Sequence, residues 1–293
     1  MVLMRGATQA AYFVVSLATV LVVLITAHDP SQTDLLRRMT RENGIVEWGS
    51  VAVLTVVLLV CVGSLLRHRK HPYLPGLART LLVVLGFTAL LGALEEISWG
   101  QQVLGFRSNQ FFLENNLQRE TNLHNLMPAS ISSSIINTTV YIFFLWIPCI
   151  LCLAPASRLR KFVRERGLSV FVPKFSTMMI FAFGSTLQAY FLFPTWSDSV
   201  ALMATFGLIA WMLARQETTR WTDWAGFAWV ALCATIFALH YDVFRFANMQ
   251  YEIRELIVVL GCLHWITDWA DPGRSRSAMD TEPGGTRLPA DLN

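Results

Sequence analysis

Residues 10–27 read AAYFVVSLATVLVVLITA, a run without a charged side chain. A helix needs about 20 mostly apolar residues to cross a bilayer core. The apolar core of a signal peptide is shorter, about 7 to 15 residues. The run therefore predicts an uncleaved first membrane span over 8–27, with cleavage after Ala27 as the alternative. The same hydropathy recurs over 45–66, 77–103, 133–155, 174–193, 198–214, 223–243 and 251–270. The expected fold class is all-α: a polytopic transmembrane helix bundle of about eight spans. Spans five and six would join through a tight turn near Pro194. Residues 1–270 would form the transmembrane domain. Residues 271–293, rich in Gly, Pro and charge, read as a disordered cytoplasmic tail.

Composition agrees. Hydrophobic residues make up 54% of the 293 and charged residues 15%, where soluble domains carry about 25% charged. The mean hydropathy is +0.47. A disordered chain needs low hydrophobicity and high net charge, so that class is excluded. A net charge of +3 is too small on so apolar a chain to build a phosphate-binding stripe, which argues against nucleic acid as a partner. There is no internal repeat, no soluble domain and no Gly-rich phosphate loop. The five cysteines, Cys61, Cys149, Cys152, Cys233 and Cys262, lie in apolar segments and read as small packing residues rather than a disulfide framework.

Lys and Arg set the orientation. With the N-terminus cytoplasmic, 16 of the 23 fall in inside connections and 7 outside. The bias predicts a cell-membrane protein with both termini cytoplasmic. Trp48, Trp99 and Trp196 then fall near the outer boundary, and Trp221, Trp224 and Trp269 near the inner one.

Ionisable residues inside spans are costly, and they default to a functional hypothesis. Glu47, Glu95, Glu96, His240, Asp242, Glu252 and Glu255 all come to the outer side in this topology. His264 and Asp268, one turn apart, come to the inner end of the last span and read as boundary capping, with the inner end of a proton or cation relay as the alternative. The densest stretch is residues 94–102, LEEISWGQQ. On a continuous helix, Thr88, Gly92, Glu95, Ser98 and Gln102 share one face. The second dense stretch is residues 114–125, ENNLQRETNLHN, with Glu120 and His124 at i, i+4. If that stretch is helical, both side chains point the same way. They would then bind one metal or form a base with its orienting partner. The expectation is a re-entrant or interfacial outer loop between spans three and four, capping the carboxylates. A solvated surface helix is the alternative.

The pattern Glu95-Glu96-Ile-Ser98-Trp99-Gly100-Gln101, followed by Asn116-Leu-Gln118-Arg-Glu120-Thr-Asn122-Leu-His124-Asn125, resembles one in uncharacterised bacterial multi-pass membrane proteins. That resemblance implies a membrane location and no particular activity. A more distant likeness is to the ceramidase-like superfamily of intramembrane hydrolases, which place serine, aspartate and histidines around zinc. Glu95, Ser98, His124, His240 and Asp242 supply those residue types. The paired H-x-x-x-H of that superfamily is absent here, so its zinc site does not carry over.

The leading expectation is a metal-dependent hydrolase or transferase acting on a lipid or lipid-linked substrate at the outer leaflet. Glu96, Glu120, His124, His240 and Glu255 would hold a divalent metal: zinc, manganese or iron. A bound metal would bring the pKa of its water to about 7. Glu95, Ser98 and Asp242 would be catalytic. Gln102, Arg119, Arg245 and Arg254 would hold substrate. A proton- or cation-coupled transporter is the second class, with membrane carboxylates as relays. A non-catalytic subunit or sensor is the third. In it the basic cytoplasmic loop 156–174 would lie on the membrane surface or dock a protein partner.

Overall fold

The computed structural model describes residues 2–29, 31, 44–70, 76–116, 119–123, 126, 129–154, 157–187, 196–216, 219–245 and 249–270. His124, Pro194 and the tail 271–293 lie outside the described residues. Every regular element among the described residues is helical. The main helices are α1 (Val2–His28), α2 (Ile45–Lys70), α3 (Gly76–Glu96) and the short α4 (Gln110–Asn115). Next comes α5, built from Ala129–Thr139, a π-helical Val140–Trp146 and Ile147–Leu153. The remainder are α6 (Arg158–Glu165), α7 (Phe175–Thr186), α8 (Trp196–Arg215), α9 (Trp221–Leu239), α10 (Tyr241–Arg245) and α11 (Met249–Trp269).

Each of the eight expected spans falls on one of these helices. Helices α1, α2, α3, α5 and α9 are long and apolar enough to cross a membrane. Helices α7 and α8 are shorter apolar helices. Helix α11 has the length, but it carries Glu252, Arg254, Glu255 and Asp268. The molecule is therefore an all-α, multi-pass bundle, and its long helices present apolar outer faces. Leu59, Val83 and Phe87 are 63%, 57% and 60% exposed, an outward face suited to lipid rather than water.

Small and hydroxyl side chains face inward instead. Ser16, Thr19, Ser50, Ser64 and Thr205 are buried. Ser16 donates to the Phe13 carbonyl, Thr19 to Val15 and Thr205 to Ala201. This back-bonding satisfies a hydroxyl without a neighbouring helix. Helices α2 and α3 run antiparallel in close contact. A Cβ on Gly86 would meet Cys61 Cβ at 3.2 Å, and one on Gly92 would meet Leu54 at 3.4 Å. Without a hydrophobic drive between helices in lipid, such small-residue contacts carry the packing.

Helices α7 and α11 form the centre. α7 is buried from Thr177 through Thr186, as an all-round apolar helix should be. It packs on α11, α9 and the π segment of α5, while α11 also packs on α1 and α2. The π segment precedes Pro148, whose missing N–H cannot continue an α ladder. It presents Phe144, which stacks on Phe181 of α7 with ring centroids 4.0 Å apart.

Candidate functional site

The third expected span, 77–103, does not continue as one helix. α3 ends at Glu96, and Ser98, Trp99 and Gly100 take left-handed φ of 48°, 54° and 90°. Gly100 adopts this freely. Ser98 and Trp99 do not, and such positions cost of order 1–3 kcal/mol each unless their surroundings over-determine them. The expected Glu95–Ser98–Gln102 helical stripe is thereby corrected: the backbone turns before Ser98. The segment around Glu120 is also non-helical, and Arg119 is left-handed at φ 60°. The expected pairing of Glu120 with His124 falls in part outside the described residues, since His124 is not among them.

Tertiary hydrogen bonds hold the turn. The Ser98 hydroxyl donates to the Glu120 carboxylate and accepts from Asn122 Nδ2 at 3.4 Å. The two oxygens of Glu95 accept from Trp99 Nε1 at 2.5 Å and from the Leu123 amide at 2.6 Å. Gln101 Oε1 accepts from the Thr121 amide at 2.8 Å and from Ser108 Oγ at 3.0 Å. Asn116 Nδ2 donates to Asn122 Oδ1 at 2.7 Å, and its Oδ1 receives the Glu120 amide at 3.3 Å. Ser98 and Asn122 are 0% and 1% exposed. This network fastens the loop after α3 onto the end of α3. Buried polar groups must be satisfied, and here the loop and the helix end satisfy one another.

The residues expected to form the site separate accordingly. Glu95 and Ser98 serve as loop fasteners, and Asp242 sits exposed in the first turn of α10. Gln102 donates to Glu47 Oε1 at 2.9 Å, joining α2 to the loop. Arg119 is exposed. The side chain of Arg245 is not among those described. Arg254 is only 3% exposed, with its stem against Gly184 of α7. Arg254 thus sits inside the bundle rather than on an exposed rim. Of the expected metal ligands, Glu96 and Glu255 are brought together, and Glu47, Glu95 and Glu252 are also near enough to act electrostatically on Glu96. Glu120 is engaged by Ser98, and His240 caps the end of α9. Among the described residues, no group of three or more His, Cys, Asp or Glu is arranged to hold a metal ion.

A second polar assembly joins the expected pair His264 and Asp268 to residues on other helices. Arg254, Ile257, Gly261, His264 and Asp268 follow i, i+3, i+7, i+10 and i+14, which is one helical stripe. All five are buried, and the stripe faces α7. Arg254 and Ile257 meet Gly184 there, and Gly261 meets the tip of Phe181. His264 Nδ1 pairs with Thr177 Oγ1 at 2.8 Å. Asp268 lies 3.1 Å from both Arg5 Nε of α1 and Lys174 Nζ. His264 is 0% exposed, and its Nε2 has no hydrogen-bond partner among the described residues. Between the ends of the stripe the packing is apolar. Ile257, Gly261 and Phe181 close it, with Phe144 stacked behind. The clue in the sequence was the spacing of the ionisable residues along α11. It did not say that this face meets α7.

No family model, no curated protein and no solved structure matches this chain.

Proposed function

We propose that this integral membrane protein carries protons across the bilayer along α11, with the acidic cluster at one end of the helix and His264 at the other. One observation carries the proposal: the buried stripe Arg254–Ile257–Gly261–His264–Asp268, in which the His264 ring has an orphan nitrogen among the described residues. Ionisable groups inside a span are expensive and mark ion pathways, and an orphan buried nitrogen needs a reason. Histidine is the side chain that gains and loses a proton near neutral pH. Glu47, Glu252 and Glu255 gather around Glu96 at the acidic end, and carboxylates inside a membrane are the usual ion relays. The close apolar contact of Phe181 on Gly261 lies between the two ends, the kind of closure a carrier needs if both are not to open at once. The Lys and Arg excess supports placing the Arg5–Asp268 end, with both termini, in the cytoplasm of the cell membrane.

The test is dissipation of a pH gradient in liposomes holding the purified full chain, with the membrane potential clamped. Wild type should outrun protein-free vesicles, and Glu96→Gln and Glu255→Gln should each lose most of that excess. Wild-type vesicles no faster than protein-free ones would end the proposal.

A second reading has one observation in its favour. Two non-glycine residues, Ser98 and Trp99, sit in left-handed conformations beside the Ser98–Glu120 hydrogen bond, and strain of this kind gathers at functional sites. There the chain would be a lipid hydrolase or transferase with Ser98 and Glu120 as its centre. A divalent metal would require His124 to join Glu96 and Glu255. Phospholipid turnover that disappears in Ser98→Ala would favour it; turnover absent from wild type would exclude it.

A further inference from the structure

The geometry points to α6 as a docking surface for anionic phospholipid, at the end of the bundle that carries Arg5 and Asp268. α6 holds Arg158, Arg160, Lys161 and Arg164, and Arg166 follows it. The one carboxylate, Glu165, lies 3.7 Å from Lys161. All five cations are exposed. On the other side of the helix, Leu159, Phe162 and Val163 fall at i, i+3 and i+4, and Leu159 and Phe162 are 38% and 50% exposed. The Arg166 guanidinium covers the Phe162 ring at 5.6 Å. A solvated charge run would have no cause to expose leucine and phenylalanine together. A short helix with an apolar edge and a cationic face matches the boundary between acyl chains and anionic head groups.

The position of α6 supports the same occupant. It follows the end of α5, and Ser157 caps its first turn by accepting from the Arg160 amide at 3.2 Å. Gly167, left-handed at φ 64°, turns the chain into the 3-10 turn Leu168–Phe171. That turn is clamped to the last turn of α11: Trp265 Nε1 donates to the Phe171 carbonyl at 2.7 Å, and the Phe171 and Trp269 rings lie 4.9 Å apart. Lys174 then reaches Asp268. α6 is thus tethered at both ends to the boundary of the bundle. The inference does not rest on proton transport.

The test is native mass spectrometry of the full chain in detergent, titrated with phosphatidylglycerol or phosphatidylcholine. Each cation near an anionic surface is worth roughly fivefold in partition. Wild type should retain phosphatidylglycerol in preference. Arg160→Gln/Lys161→Gln/Arg164→Gln should lose at least about tenfold of that preference while keeping its elution profile and melting temperature. Arg67→Gln/Arg69→Gln, at the basic end of α2, should keep it. Equal retention of both lipids by wild type would overturn the inference, as would an undiminished preference in the triple variant or an equal loss in the control. Phe162→Ser should weaken retention of both lipids together, and unchanged retention would remove the apolar edge from the surface.

Discussion

The closure on α11 makes a sharp stability prediction at Gly261. A Cβ there would stand 2.8 Å from Phe181 Cζ and 3.0 Å from both Cε atoms, where ordinary contact begins at 3.4 Å. Gly261→Ala therefore requires the ring tip to retreat by about half an ångström. The ring has little freedom to do so, because Phe181 is 0% exposed and Phe144 lies on its face. Overpacking of a filled core costs typically about 1–3 kcal/mol. Alanine's better helix propensity offsets up to about 1 kcal/mol. The net expectation is a destabilisation of about 1–2 kcal/mol, seen as a lower melting temperature by intrinsic tryptophan fluorescence in detergent. Gly63→Ala is the matched control, because a Cβ there meets nothing within 4 Å, and its melting temperature should hold or rise. Phe181→Leu in the Gly261→Ala background should restore part of the loss by removing the ring tip. A Gly261→Ala protein that melts with wild type would refute the claim that Phe181 is held against α11.

Other perturbations separate the two polar assemblies. Asn122→Ala removes a partner of both Ser98 and Asn116 in a site with 1% exposure; it should cost about 1–3 kcal/mol and speed proteolysis of the loop that follows α3. Asp268→Ala should destabilise far more than Lys174→Ala, because Asp268 is 7% exposed and answers two cations, while Lys174 is 50% exposed. Equal effects in thermal denaturation would show that the node is solvated. Elemental analysis of purified protein should find no stoichiometric zinc, manganese or iron. About one ion per chain, lost in both Glu96→Gln and His124→Ala, would instead favour the metal-dependent enzyme.

The helices were legible because hydropathy alone selects them: a run such as residues 10–27 has no other stable home. Their ends were less so. The helical spacing of span three can be carried on past Trp99, yet the backbone leaves the helix at Glu96, where Glu95, Ser98 and Gln101 take partners in Leu123, Glu120 and Thr121. Those contacts join residues about 20 positions or more apart, beyond any local signal. Gly100 was the local hint. The burial of Arg254 was hidden for a related reason. An arginine near a helix end ordinarily extends toward the head groups, but Gly184 on α7 leaves room for its stem. Conversely, the carboxylate grouping was readable, since the topology alone brings Glu47, Glu96 and Glu255 to one end. The link from His264 to Thr177 was not, since it depends on which faces of α7 and α11 meet.

The most direct measurement compares proton flux through wild type and His264→Gln in identical liposomes. Glutamine keeps a hydrogen-bonding side chain opposite Thr177 but does not titrate. Proton transport along α11 predicts that the substituted protein keeps its elution profile and melting temperature while its flux falls to the level of protein-free vesicles. Flux equal to wild type in His264→Gln would contradict it and leave the buried histidine as a packing residue.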